Sequence, residues 1–308
     1  MKNLKSPLFM LTTIFLLAGL FACAPAPAPT SVPTEAPVST VPPAPTIAPL
    51  DIQRTLTIDG MERTYSIHIP AGLTGQQSAP LVFVFHGYQE NGAQIRRYTG
   101  FDALADANGF IVVYPDGSGS SGSLSWNASG CCGYALQNDI DDPAFVRAII
   151  ADVETLANVD AKRIYATGFS NGALLSYRLA CEISDTFAAV APVGGVLMYV
   201  PCKPQEPVSV MHVHGAKDAV VPLEGGGSAI QFPPVAESLA AWTKLDGCNG
   251  EKQVEKDGVL EHTTFGECKP GISVQLYVVD GTSHSWPSPY VAPISQIIWE
   301  FFAAHPKP

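Results

Sequence analysis

The chain has 308 residues, enough for one large α/β domain or two smaller ones with a sizeable core. Its formal net charge is −11, with 17 basic against 28 acidic residues. That balance argues against nucleic acid and anionic lipid headgroups as partners.

The first feature in chain order is a leader. Lys2 and Lys5 precede an apolar run from Leu8 to Ala22 that is short for a membrane span and has no stop-transfer pattern, so residues 1–22 are expected to be a signal peptide. Leu20-Phe21-Ala22-Cys23 resembles a bacterial lipobox, in which the cysteine is lipidated and becomes the new N-terminus. The rival readings are an ordinary cleaved signal and an uncleaved anchor. The expectation is therefore an extracellular or cell-surface protein, held at a membrane only through a lipid on Cys23. Residues 23–49 form a Pro/Ala/Thr-rich linker without hydrophobic periodicity. Extended as polyproline II at about 3.1 Å per residue, it would reach roughly 80 Å. Folding is expected over residues 50–308.

Thr55 to Asp59 and Arg63 to Ile69 are β-rich runs joined by Asp59-Gly60, which is hairpin-turn chemistry. Buried-strand runs follow at Leu81 to Phe85, Phe110 to Tyr114, Arg163 to Thr167, Ala188 to Val193, Val208 to His214 and Ser273 to Val279. Between several of them lie helical patterns. One begins with Asp142 as N-cap and Pro143 at the first helical position, then repeats Phe145, Val146, Ile149, Ile150, Val153 and Leu156 at helical spacing. The alternation predicts a mostly parallel eight-stranded sheet with helices on both faces, and ligands in such folds bind beyond the carboxyl ends of the strands.

Gly168-Phe169-Ser170-Asn171-Gly172 sits between the strand run Arg163 to Thr167 and the helical run Ala173 to Ala180. That is the strand-turn-helix setting of a nucleophile elbow, and the context carries more weight than the bare pattern. Ser170 then follows the fifth strand, Asp218 the seventh and His284 the eighth, which is the Ser, Asp, His chain order of α/β-hydrolases. In that scheme Ser170 is the nucleophile, His284 takes its proton and Asp218 fixes the imidazole tautomer. Taken singly, a loop aspartate is usually a cap and a loop histidine is usually solvated; the joint order and topology select these three. Two amides are expected to receive the oxyanion, that of Asn171 and that of Tyr88 in His86-Gly87-Tyr88, with Gly87 as the fallback. His86 is expected to hold its loop in shape, and His212 and His214 to be core residues or supports of the site. Trp286 and Trp126 are candidate walls of the substrate pocket, with core packing as the alternative. Asp139, Asp141 and Asp142 are explained by capping and loop solvation.

Besides Cys23 there are six cysteines. In an exported chain disulfides are the expected use, and the spacing suggests Cys181 with Cys202 and Cys248 with Cys268, the latter bracketing an insertion-like segment. Cys131 and Cys132 remain as a vicinal disulfide, as free thiols, or as a sign that the other pairs are wrong. No cysteine pair has metal-site spacing, and no metal is expected.

Taken together, His86-Gly87-Tyr88, Phe101 to Asp106 through Val113-Tyr114-Pro115-Asp116-Gly117, Cys131-Cys132-Gly133, Asp141-Asp142, the elbow and His284-Ser285-Trp286-Pro287 resemble the secreted polyhydroxybutyrate depolymerase/feruloyl esterase-like family. The resemblance runs from about Leu50 to the segment Ile297 to Phe302. It implies an α/β-hydrolase fold, a serine esterase without metal or organic cofactor, and nucleophile, acid and base at Ser170, Asp218 and His284. Where the family often carries glycines around the His and Trp-Pro pairs, this chain has Thr282-Ser283 and Ser288-Pro289. The implied substrates are polymer-linked esters. Acetyl xylan esterase, acyltransferase or peptidase activity on the same triad, and a non-catalytic binding module of the same fold, are the competing functions.

Overall fold

A computed structural model describes residues 49–73 and 77–308. The expected signal peptide, Cys23 and the linker up to residue 48 lie outside the described residues. Strand β1 (Leu50–Ile58) alternates half-buried and exposed positions, as an edge strand with one face on the core must. Asp59-Gly60 turns it directly into antiparallel β2 (Met61–Ile69), with Ile58 opposite Met61. Strand β3 (Ala79–Phe85) is buried at every position, which is what a central strand covered on both faces requires. Helices α1 (Gly92–Thr99) and α2 (Phe101–Asn108) lead to β4 (Ile111–Pro115), followed by the short α3 (Gly133–Gln137) and by α4 (Asp142–Glu154). Then come β5 (Val159–Phe169), α5 (Asn171–Glu182), β6 (Ala189–Val193) and β7 (Ser209–Gly215). The last elements are α6 (Val235–Leu245), β8 (Lys252–Asp257), β9 (Leu260–Phe265), β10 (Val274–Val279) and α7 (Ile294–Ala304).

Among the described residues the sheet has ten strands rather than the expected eight, in the order β1-β2-β4-β3-β5-β6-β7-β10-β9-β8. Strands β4, β3, β5, β6, β7 and β10 run parallel, and an antiparallel pair closes each edge. The two additional strands are the segment between Cys248 and Cys268, a hairpin of which β8 is exposed throughout and therefore carries no apolar alternation. Helices α4, α5 and α6 bury Phe145, Leu175 and Trp242 against one face, and α1, α2 and α7 bury Ile95, Phe101 and Phe302 against the other. Cys181 is bonded to Cys202, Cys248 to Cys268, and Cys131 to its neighbour Cys132.

One helix start differs from expectation. Asp141, not Asp142, caps α4, its Oδ1 accepting from the Ala144 amide at 2.9 Å. Asp142 is not solvated either. Its carboxylate is fully buried, bonded to Arg63 Nη2 at 2.9 Å and to the Asn127 amide at 2.7 Å. Burial pushes its pKa up despite the opposing Arg63 charge. No helix among the described residues is long and apolar enough to cross a membrane.

Candidate active site

The parallel strands end on one side of the sheet, and the loops that leave them there carry the candidate residues. Ser170 stands directly between β5 and α5 with φ 53° and ψ −115°, a backbone state that costs a non-glycine residue strain. The flanking glycines make the turn possible. A Cβ on Gly168 would lie 2.6 Å from the Gly172 carbonyl oxygen, and one on Gly172 would run into the carbonyl oxygens of Phe85 and His86. Strand β3 and the start of α5 thus approach too closely for any side chain, and the serine is pushed out beyond the strand ends.

The structure brings the three expected residues together. Ser170 Oγ lies 2.9 Å from His284 Nε2, and His284 Nδ1 lies 2.7 Å from Asp218 Oδ2. The other carboxylate oxygen, Oδ1, accepts from the amides of Val220 at 2.9 Å and Val221 at 2.8 Å. Burial would raise the Asp218 pKa, but the bonds from His284 and Val221 and the nearby imidazoles outweigh it and hold the carboxyl below its ordinary value. Asp218 is an anion at neutral pH, so His284 directs a hydrogen from Nδ1 to it and a lone pair from Nε2 to the serine.

Two residues that line the cavity at Ser170 have uncommitted amides. That of Asn171 opens α5 and that of Tyr88 follows β3, and neither has an acceptor among the described residues. The Gly87 amide is taken by Glu90 Oε2 at 2.9 Å, which leaves Tyr88 as the available donor of that loop. His86 is fully buried, its Nε2 accepting from the Gly117 amide at 2.9 Å and its Nδ1 donating to the Gly87 carbonyl at 2.7 Å. Burial pushes its pKa down to about 4, against the Gly87 bond, so it is a neutral brace.

Both tryptophans are core residues rather than pocket walls. Trp126 is fully buried, packs edge-on against Phe85 and donates its indole N–H to the His86 carbonyl at 2.9 Å. Trp286 turns away from His284, packs edge-on against Phe101 and donates to Ser295 Oγ at 3.1 Å. The cavity of about 640 Å³ at Ser170 is instead lined by Tyr88, the Cys131–Cys132 pair, Leu136, Leu174, Val220, Val221, Ile230 and Phe232. The Asn171 side chain also matters, a point the sequence did not disclose. Its Oδ1 accepts from the Trp126 amide at 2.7 Å, while Nδ2 donates to the carbonyls of Trp126 at 3.1 Å and Cys131 at 3.3 Å, tying the cysteine loop to the elbow.

A second depression of about 930 Å³ lies among the loops after β3 and β4. It is lined by Gln53, Met61 to Thr64 and Ser66 of β1 and β2, by Asn91 and Asp116, by Gly117 to Ser121 and Ser123 of the Ser/Gly run, and by Tyr134 of α3. Away from both, Asp51, His68 and Asp102 converge, but Arg96 pairs with both aspartates and His68 bonds Asp51, so the group is an ion-pair network.

The sequence model of the family described as esterase PHB depolymerase matches residues 63–247. Feruloyl esterase B of Piromyces equi is 32% identical over 234 residues, which cover 72% of this chain and 42% of that protein. Feruloyl esterase C of Emericella nidulans is 28% identical over 249 residues, covering 79% of this chain and 84% of its own length. The bifunctional acetylxylan esterase/xylanase of Neocallimastix patriciarum is 28% identical, and the matched region spans only 33% of it. Among solved structures, an acetyl xylan esterase from Aspergillus awamori has a TM-score of 0.60 at 16% identity, covering 82% of this chain and 99% of that one. An S-formylglutathione hydrolase from Agrobacterium tumefaciens has 0.57 at 12%, covering 84% and 96%. At such identities the structural likeness establishes the α/β-hydrolase fold.

Proposed function

The chain belongs to the esterase PHB depolymerase family, and on that premise we propose that it is a serine carboxylic-ester hydrolase working through Ser170, His284 and Asp218. The supporting observation is the unbroken line of hydrogen bonds, 2.9 Å and 2.7 Å, from Ser170 through His284 to Asp218, with two uncommitted amides alongside. His284 Nε2 takes the Ser170 proton as Oγ attacks the ester carbon. The carbonyl electron pair moves onto oxygen and is met by the Tyr88 and Asn171 amides, each contributing about 3 kcal/mol in such a role. Collapse expels the alcohol, which receives the proton from His284. Water, deprotonated by the same imidazole, then attacks the acyl-enzyme, frees the acid and restores Ser170.

Two compartments of different character argue for the substrate. The cavity at Ser170 is walled by Leu136, Leu174, Ile230 and Phe232 and suits an apolar acyl group. The serine-rich depression on the same side suits a hydroxylated alcohol portion. This pairing favours hydroxycinnamoyl or acetyl esters of a polysaccharide over a hydroxyalkanoate polyester. Comparing turnover of methyl ferulate, acetylated xylan and polyhydroxybutyrate tests it. Rates on the polyester well above those on both others would overturn the substrate assignment.

Export follows from the leader, with Cys23 lipidated. Globomycin, which blocks the peptidase that cleaves before a lipidated cysteine, should then cause precursor to accumulate in an expressing bacterium. Wild-type protein cleaved at another residue and found wholly in the medium would contradict the anchor.

A further inference from the structure

His212 and His214 are two residues apart on β7, so both rings project into the same layer, beneath α5 and α6. Both are fully buried. Dehydrating four ring nitrogens is costly unless each finds a partner, and here each does. The Tyr177 hydroxyl lies 2.7 Å from His212 Nδ1, His212 Nε2 lies 2.9 Å from His214 Nδ1, and His214 Nε2 lies 2.8 Å from the Val221 carbonyl oxygen.

The last acceptor sets the direction of every hydrogen. A carbonyl oxygen only accepts, so His214 carries its hydrogen on Nε2 and presents a lone pair at Nδ1. His212 must then donate from Nε2 and accept at Nδ1, and the Tyr177 hydroxyl must donate. Protonating His214 would set two N–H groups face to face, and protonating His212 would turn its Nδ1 from an acceptor into a donor against the Tyr177 hydroxyl. Burial accordingly holds both below the ordinary histidine pKa, His212 well below.

This ordered chain ends on the Asp218 turn. Val221 receives the His214 hydrogen at its carbonyl and gives its own amide hydrogen to Asp218 Oδ1 at 2.8 Å. His214 Nε2 is also 3.5 Å from Asp218 Oδ2, the oxygen that faces His284. We propose that Tyr177, His212 and His214 form a hydrogen-ordered chain that holds the Asp218 carboxylate in register with His284, which makes His214 a positioning residue for the reaction. The inference rests on the assignment of Ser170, His284 and Asp218 above. An apolar pair at the two positions would fill the same layer without the dehydration cost, and it would leave the Val221 carbonyl and the Asp218 turn unheld.

The test compares kcat and KM for p-nitrophenyl acetate in His214→Leu, His214→Gln and Tyr177→Phe, with Ser170→Ala as the inactive control. A carboxylate displaced by a fraction of an ångström should lower kcat in His214→Leu by roughly 10- to 100-fold with KM little changed. His214→Gln keeps an amide hydrogen able to reach the Val221 carbonyl and should recover most of that loss. Tyr177→Phe removes only the first donor, and kcat should fall several-fold. A folded His214→Leu with wild-type kcat, or a His214→Gln as impaired as His214→Leu, overturns the chain while leaving the nucleophile assignment intact. Should His214→Leu fail to fold, wild-type kcat in Tyr177→Phe overturns it equally. Persistent turnover in Ser170→Ala would instead overturn the nucleophile assignment, and the chain with it.

Discussion

Replacing Asp218 by asparagine is the substitution whose outcome the structure specifies most closely. The amides of Val220 and Val221 both donate to Oδ1, at 2.9 and 2.8 Å, so the asparagine carbonyl oxygen must take that position. Its NH2 group then stands where Oδ2 was, 2.7 Å from His284 Nδ1. Two donors cannot share that contact, and the imidazole must move its hydrogen to Nε2. Nε2 lies 2.9 Å from Ser170 Oγ, so the serine would face an N–H and lose its base. The geometry survives while the proton path closes. A change of this kind in a serine hydrolase costs on the order of 10⁴ in kcat, or about 5.5 kcal/mol of transition-state stabilisation. Steady-state hydrolysis of p-nitrophenyl acetate at neutral pH, with thermal denaturation as a check on folding, would measure it. A folded Asp218→Asn enzyme within tenfold of wild-type kcat would refute the argument, as would a loss confined to KM.

Gly172→Ala should impair fold and activity together. Its Cβ meets backbone oxygens of Phe85 and His86, which cannot swing aside, so about 1–3 kcal/mol of overpacking is expected and the Tyr88 amide is displaced. Melting temperature and kcat should both fall; a wild-type kcat would show that the elbow tolerates the contact. Asp246 supplies a pH signature. It is fully buried and neither carboxylate oxygen has a hydrogen bond of good geometry; burial raises its pKa to about 7 against the weaker pulls of the Lys269 charge and of a loosely aligned Val208 N–H. The folded state holds this proton to higher pH than the unfolded chain does, so the site is tolerated below the ordinary carboxyl pKa and costs stability as pH climbs toward 7. The full cost is about 4 kcal/mol. Asp246→Asn should therefore lose that part of the decline in melting temperature as pH rises from about 4 to 7. Parallel curves for variant and wild type between about pH 4 and 8 would contradict the assignment.

Much of the architecture was legible because its strands are buried on both faces. Such runs stand out as apolar blocks, and their ends locate Ser170, Asp218 and His284 on one side of the sheet. The β8–β9 hairpin escaped because β8 faces solvent along its whole length and reads as a polar insertion. Asp257-Gly258, at the tip of that hairpin, was the available cue. Asp142 could not be told from its neighbour Asp141 by local rules, since what buries it is Arg63, 79 residues earlier. Trp286 shows why proximity in sequence misleads. Two residues from His284 the chain has already turned, and the indole joins the Phe101 cluster behind the loop. The spacing of His212 and His214 shows that the two share a face of β7, yet nothing local shows that Tyr177 would meet them from α5.

Covalent labelling of the nucleophile tests the central claim most directly. The purified enzyme would be treated with a serine-directed fluorophosphonate, digested and mapped by mass spectrometry, with Ser170→Ala in parallel. One adduct on the peptide carrying Ser170 is predicted, rising in step with loss of ester hydrolysis, and no adduct in Ser170→Ala, whose turnover should fall on the order of a millionfold. Stoichiometric labelling at another residue, or near wild-type hydrolysis by folded Ser170→Ala, would contradict the account.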